Sequence, residues 1–233
     1  MNPLLELGLD AFRKSLEQEV AQFPEGKTPR AGGRPTKAAP NGEDYAWWMA
    51  NGPAYVQSWI TWRQNNPDLH VMKMQDGKPA IELDVRVDIE VNDELIQLKG
   101  FIDRVFVNAK SEDDALIVDL KTGKTTPAPM QLAFYRRALK AAYGIDAKYG
   151  AYWMAREGSL SAIHNLAPYT DEMVDYWVAK TYAGIQSGIF LPHVTSMCRG
   201  CGVRTHCYVH NPTTHFPLPF THTTVDSKEA VHV

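Results

Sequence analysis

The clearest regularity in the chain runs from Ile81 to Val91, where Ile81, Leu83, Val85, Val87, Ile89 and Val91 alternate with Glu82, Asp84, Arg86, Asp88 and Glu90. A period of two places all the apolar side chains on one face, so this segment predicts a β-strand with one side buried and the other in water. Asn92-Asp93 supplies a turn, and Leu95 to Val107 predicts a second strand antiparallel to the first. The short unbroken run Leu116-Ile117-Val118 lies between an acidic loop and Asp119 and predicts a third, more buried strand. Strand-like segments follow near Lys148 to Ala155 and Leu160 to Leu166.

Helical spacing dominates elsewhere. Leu4, Leu5, Leu7, Leu9, Phe12, Leu16 and Val20 recur among charges over residues 2–22, which predicts an amphipathic helix weakened by Gly8. Glu43 to Gln64, with Trp47, Trp48, Tyr55, Trp59 and Trp62, predicts one or two helices interrupted near Gly52-Pro53, because proline has no N–H to give. Rings at this spacing belong in a core. Gln131 to Tyr143 repeats Leu132, Tyr135, Leu139 and Ala142 and stops before Gly144, a helix with a glycine terminator. A last helix is expected from about Asp171 to Gln186, with Thr170 as its N-cap. Phe23 to Gly42 holds four prolines and four glycines together with Lys27, Arg30, Arg34 and Lys37, so it predicts a solvated linker. Asn211 to Val233 has no period, three prolines and His215, His222 and His232, and predicts an extended tail. The pattern as a whole is α/β: a mixed central sheet flanked by helices. It divides into an N-terminal helix and linker over 1–42, a core over 43–192, a Cys/His segment over 193–210 and a tail over 211–233.

Charge narrows the partners. At a net −3 and a pI of about 6.2, the chain does not fit a protein held to nucleic acid by general phosphate neutralisation, so any DNA contact has to be local and basic. Met1 to Lys14 sets Glu6 and Asp10 among its apolar residues, which excludes a signal peptide or a membrane span and points to a cytoplasmic protein. Cys198, Cys201 and Cys207 fall within ten residues, an odd count that suits metal ligation better than a disulfide framework.

Candidate chemistry sits on the second and third strands. Asp103 lies in Gly100-Phe-Ile-Asp-Arg, and Asp119 and Lys121 flank Leu120 at the end of the third strand, where alternation puts them on one face. Two carboxylates converging from neighbouring strands make an oxygen-rich site suited to Mg²⁺ or Mn²⁺. A lysine beside them can orient water and stabilise the charge that develops on a phosphoryl group.

Gly100-Phe-Ile-Asp103-Arg, Asp119-Leu-Lys121-Thr-Gly and Gln131-Leu-Ala-Phe-Tyr135 together resemble the RecB-like branch of the PD-(D/E)XK nuclease superfamily, including its CRISPR-associated exonucleases, over roughly residues 45–190. The resemblance implies a restriction-endonuclease-like fold and a metal-dependent DNA nuclease, an exonuclease of phage or prokaryotic repair, recombination or CRISPR adaptation. Such an enzyme works with protein partners in the cytoplasm, the host's if it is phage-encoded. By the same resemblance Asp103 and Asp119 are metal ligands and the Leu120 carbonyl completes their shell. Lys121 is then the catalytic lysine, and Gln131 and Tyr135 contact DNA or brace the site. Arg136, Arg137 and Lys140 would add phosphate contacts, and Glu82 would stand as an acid behind the ligands.

Two departures open a second reading, a catalytically weak DNA-binding or scaffold subunit. Gln57 stands where the family usually carries a histidine. Cys198-x2-Cys201-x5-Cys207 has the spacing of the last three ligands of an iron-sulfur cluster in related exonucleases, but the upstream fourth cysteine is missing. His193, His206 and His210 lie close by in sequence, so zinc and iron-sulfur both stay open.

Overall fold

The computed structural model describes residues 3–23, 37, 40, 42–91, 93–109, 111–123, 126–189, 194–195, 198, 201–207 and 209–210. The expected linker beyond Phe23 falls largely outside them, and the expected tail falls outside them entirely. Two compact units divide the chain, residues 1–174 and 175–233. The order of elements is α1 (Pro3–Ala21), α2 (Tyr45–Asn65), β1 (Leu69–Val71), β2 (Ile81–Val91), β3 (Glu94–Asn108), β4 (Ser111–Lys121), α3 (Met130–Tyr143), β5 (Tyr149–Met154), β6 (Ser159–Leu160), β7 (His164–Asn165) and α4 (Asp171–Gln186). Among the described residues no helix is long and apolar enough to cross a membrane.

β2 and β3 form the expected hairpin, paired antiparallel from Val91–Glu94 down to Ile81–Arg104. Alternation survives in the burial: Val85, Val87, Ile89 and Val91 are buried, whereas Arg86, Asp88 and Glu90 are exposed. β3 continues as the central partner of β1 and β4, both antiparallel to it. β4 then pairs with β5 in parallel, with Asp119 opposite Tyr152 and Lys121 opposite Met154. Two parallel neighbours cannot be joined by a tight turn, and α3 is the crossover that connects them. The result is the mixed sheet flanked by helices expected of a restriction-endonuclease-like fold, with β6 and β7 antiparallel on β5.

α2 is one continuous helix with Pro53 inside it, not two. Asp44 caps its start by accepting the Trp47 N–H at 2.9 Å. Packing on both sides of the proline holds the helix together against the lost hydrogen bond. On the C-terminal side, Trp59 and Trp62 meet Trp153 at ring separations of 5.1 and 5.2 Å, over a cluster of Phe106, Leu116, Val118 and Ala151. Each such ring pair contributes about 0.5–1.5 kcal/mol beyond its area. On the N-terminal side α1 crosses closely, since a Cβ on Gly52 would lie 2.1 Å from the Phe12 ring; beyond the proline, a Cβ on Gly8 would lie 3.0 Å from Val56 and Ile60. Gly8 costs α1 about 1 kcal/mol in propensity; in return the two helices touch.

Candidate active site

β3 and β4 bring the first two motifs together. One residue beyond the Arg104–Val118 pair lie Asp103 and Asp119, and the Asp103 Oδ2 accepts the backbone N–H of Leu120 at 2.7 Å. Asp103 is thereby held against the strand between Asp119 and Lys121. Lys121 Nζ lies 2.6 Å from Asp119 Oδ2 and donates to Gln131 Oε1 at 2.9 Å, and Gln131 Nε2 donates to the Tyr135 hydroxyl at 2.9 Å. A single chain of contacts therefore runs from the end of β4 into the first turn and a half of α3. The fourfold spacing of Gln131 and Tyr135 on one helical face makes this possible.

Tyr135 reaches the sheet because Gly100 leaves it room. A Cβ at Gly100 would stand 3.2 Å from Tyr135 Cε1 and 3.7 Å from Val85 Cγ2. The glycine at the head of Gly100-Phe-Ile-Asp103-Arg is thus a steric requirement of the tyrosine 35 positions later.

Asp119 is only 3% exposed. Burial pushes its carboxyl above the ordinary range; the Lys121 ammonium offsets part of that rise, and the Asp103 charge adds to it. Its Oδ2 is buried, with the Lys121 ammonium as an ion-pair partner at 2.6 Å. Burial, and then the Asp119 charge, raise the Tyr135 phenol as well, and the same two causes push Tyr152 up to about 12. A buried carboxylate beside a second carboxylate suits a hard divalent cation. Among the described residues no cluster of three or more His, Cys, Asp or Glu side chains forms. Two carboxylates with backbone, water and phosphate oxygens would make up the shell, as Mg²⁺ favours.

The other candidates lie apart from this chain of contacts. Arg136 does not face solvent or a phosphate: it is buried, with Nε on Asp146 Oδ1 at 2.7 Å and Nη1 on the carbonyls of Tyr169 and Leu166 at 2.8 and 3.3 Å. The sequence placed it among basic neighbours on a polar face, and only the fold shows that its position on α3 turns inward. Arg137 is half-buried, and Lys140 pairs with Asp171 at 2.7 Å. Glu82 is exposed, with a backbone φ of 49°, and lies 3.6 Å from Arg104. Gln57 is exposed on α2 and donates to Thr61 Oγ1 of the same helix at 3.0 Å.

In the second unit, Cys198 Sγ accepts the Thr195 N–H at 3.3 Å, and Cys207 follows a short 3-10 turn at Arg204–His206. None of the three cysteines is in a disulfide. His193 lies outside the described residues.

Sequence reasoning passed over one group beside the site. Glu43, 7% exposed, takes a hydrogen bond from Arg156 Nη2 at 2.6 Å, and Arg156 Nε donates to the carbonyl of Thr122, next to Lys121. Glu43 precedes its helix and Arg156 follows a strand, so neither lay in a periodic pattern that marks a buried position.

Comparison with known proteins reaches the superfamily that the three motifs resemble. The family model described as the PD-(D/E)XK nuclease superfamily matches residues 6–208. The Gene 69 protein of Mycobacterium phage D29 is 27% identical over 226 residues, covering 88% of this chain and 76% of that protein. A solved structure titled "Crystal structure of SSO0001" aligns over 92% of this chain and 98% of its own at 17% identity, with a TM-score of 0.41.

Proposed function

Because the chain belongs to the PD-(D/E)XK nuclease superfamily, we propose that it hydrolyses DNA phosphodiesters at the end of β4, with Asp103 and Asp119 holding Mg²⁺ or Mn²⁺ and Lys121 as the catalytic lysine. The observation that carries this reading is the meeting of Asp103, the buried Asp119 and Lys121 around the Leu120 N–H.

The ion, when bound, neutralises the nonbridging phosphate oxygens and acidifies water. The two carboxylates and the Leu120 carbonyl would hold it. Lys121 holds the attacking water and stabilises negative charge at the phosphorus centre. Gln131 fixes the direction of Lys121 through the 2.9 Å contact, and the Tyr135 hydroxyl fixes Gln131 in turn. Phosphate contacts fall to Arg137 and to Gln131 and Tyr135, without Arg136.

Within this reading the Gln131–Tyr135 pair supports the RecB-like branch and exonucleolytic action on DNA ends. A phage relative supports a phage enzyme; a role in DNA repair or recombination in the host cytoplasm, with protein partners, follows the family resemblance. The spacing of Cys198, Cys201 and Cys207, with a nearby histidine, supports zinc or an iron-sulfur cluster at the C-terminal segment, although among the described residues these side chains do not gather into a metal-holding group. Iron and zinc analysis with a visible spectrum of anaerobically purified protein decides between the two.

The direct test incubates end-labelled single- and double-stranded DNA with purified protein in Mg²⁺, Mn²⁺ or EDTA. Cleavage is expected in either metal and is lost in EDTA, and Asp119→Ala or Lys121→Ala lowers kcat by at least about 10²-fold. Full activity in either variant overturns the assignment. A second reading, a DNA-binding or scaffold subunit without turnover, draws on Gln57, which spends its amide on Thr61; it predicts DNA binding with no cleavage in any divalent ion.

A further inference from the structure

The Arg156 guanidinium is boxed in on several sides. Nε donates to the Thr122 carbonyl at 2.6 Å, Nη2 to Glu43 Oε1 at 2.6 Å and Nη1 to the Tyr55 hydroxyl at 3.3 Å, and the group lies 5.4 Å from the centre of the Trp47 ring. The Arg156 and Glu43 side chains are 19% and 9% exposed. A shielded, charge-assisted pair of this kind holds its geometry more firmly than a surface pair does.

What the box grips is the exit of β4. Ala155 N donates to the Lys121 carbonyl at 2.9 Å, and Arg156 then takes the next carbonyl, that of Thr122. Two successive carbonyls at the catalytic end of β4 are therefore tied to the segment that follows β5. Through Glu43 and Tyr55 the same guanidinium ties them to the N-terminal cap and the middle of α2. Lys121 is the last residue of β4, and its ammonium has to meet both Asp119 and Gln131. A strand end left free at residue 122 would let the Lys121 backbone swing.

We propose that Arg156 is a positioning residue for Lys121: bridged to Glu43, it clamps the β4 exit so that the lysine stays aligned with Asp119 and Gln131. The proposal rests on the nuclease reading above. It requires that loss of the clamp lower kcat while leaving the KM for DNA nearly unchanged, because the grip acts on alignment and not on substrate. Displacements of about 1 Å in a catalytic group cost up to about 10²-fold.

The experiment compares wild-type protein with Arg156→Ala, Arg156→Lys and Glu43→Gln in steady-state cleavage of labelled DNA, and follows amide hydrogen exchange over residues 116–123 in each. Expected for Arg156→Ala are a 10- to 100-fold fall in kcat, faster exchange at the β4 exit and partial rescue of kcat by millimolar ethylguanidinium; Glu43→Gln shows the same changes more weakly. Arg156→Lys, which keeps the charge without the fork, loses more than half of kcat and keeps the fold if Arg156→Ala does not. Unchanged kcat and unchanged exchange in both Arg156 variants overturn the proposal, and so does a rise in KM with kcat intact. If wild-type protein cleaves no DNA in any divalent ion, the nuclease reading fails instead. The exchange arm still judges the clamp, with unaltered exchange in Arg156→Ala counting against it.

Discussion

Replacing Arg136 with methionine keeps the apolar stem of the side chain and removes its guanidinium. Three acceptors then lose the Arg136 donor: Asp146 Oδ1, at 2.7 Å, and the carbonyls of Tyr169 and Leu166. The Leu166 carbonyl keeps the Tyr169 N–H at 3.0 Å, so the loss falls mainly on the Tyr169 carbonyl and costs about 1–3 kcal/mol. Asp146 is 36% exposed at its side chain and recovers hydration, which brings the total below the 3–5 kcal/mol typical of breaking a fully buried pair. A loss of about 1–3 kcal/mol follows, or roughly 2–12 °C in Tm for a chain of this length. Thermal and urea denaturation measure it, and DNA titrations at several salt concentrations run in parallel. The expected outcome is a destabilised protein whose remaining folded fraction binds DNA with an unchanged salt slope. A slope reduced by about one at unaltered stability would mean that Arg136 contacts phosphate, and the structural argument would fall.

Further outcomes can be measured. Because burial raises the Asp119 carboxyl despite Lys121, its stabilising contribution is complete below the unfolded carboxyl pKa and is lost as pH rises through the folded value. Metal-free Asp119→Asn should therefore melt above wild type at neutral pH. Mg²⁺ at a hundredfold excess over its Kd should stabilise wild type by about 2.7 kcal/mol and the variant far less, as differential scanning calorimetry with and without EDTA would register. Gly100→Ala forces the Tyr135 ring to give way and should cost about 1–3 kcal/mol in urea denaturation, with a fall in cleavage rate; wild-type behaviour would mean the ring has slack. Tyr152→Phe loses the hydrogen bond to the Ala128 carbonyl at 2.9 Å and about 1 kcal/mol, and removes the phenol that ultraviolet titration of the wild type should find near pH 12.

Much of this architecture could be read from residue order because the informative patterns were local. The alternation in β2, the turn after it and the αL glycine that ends α3, Gly144 at φ 71°, each depend on neighbours a few positions away. The motif residues Asp103, Asp119, Lys121, Gln131 and Tyr135 also lie close in sequence, and a hairpin and one crossover suffice to gather them. What stayed hidden depends on contacts between distant segments. Gly8 and Gly52 look like helix weaknesses until α1 is laid across α2, and Pro53 looks like a break until Trp59 and Trp62 are anchored on Trp153. Arg136 reads as one of a basic pair, since nothing near it announces that Asp146 and the 166–169 segment will enclose it. Arg156 and Glu43 are 113 positions apart, beyond the reach of any periodicity.

The five motif side chains fall within the window from 103 to 135, which a single crossover helix closes onto β4. New termini cut into the turn between β2 and β3, or into the loop after β7, would leave that window covalently whole. A backbone nick at either point should leave the five side chains gathered, whereas one between β4 and α3 would sever Lys121 from Gln131.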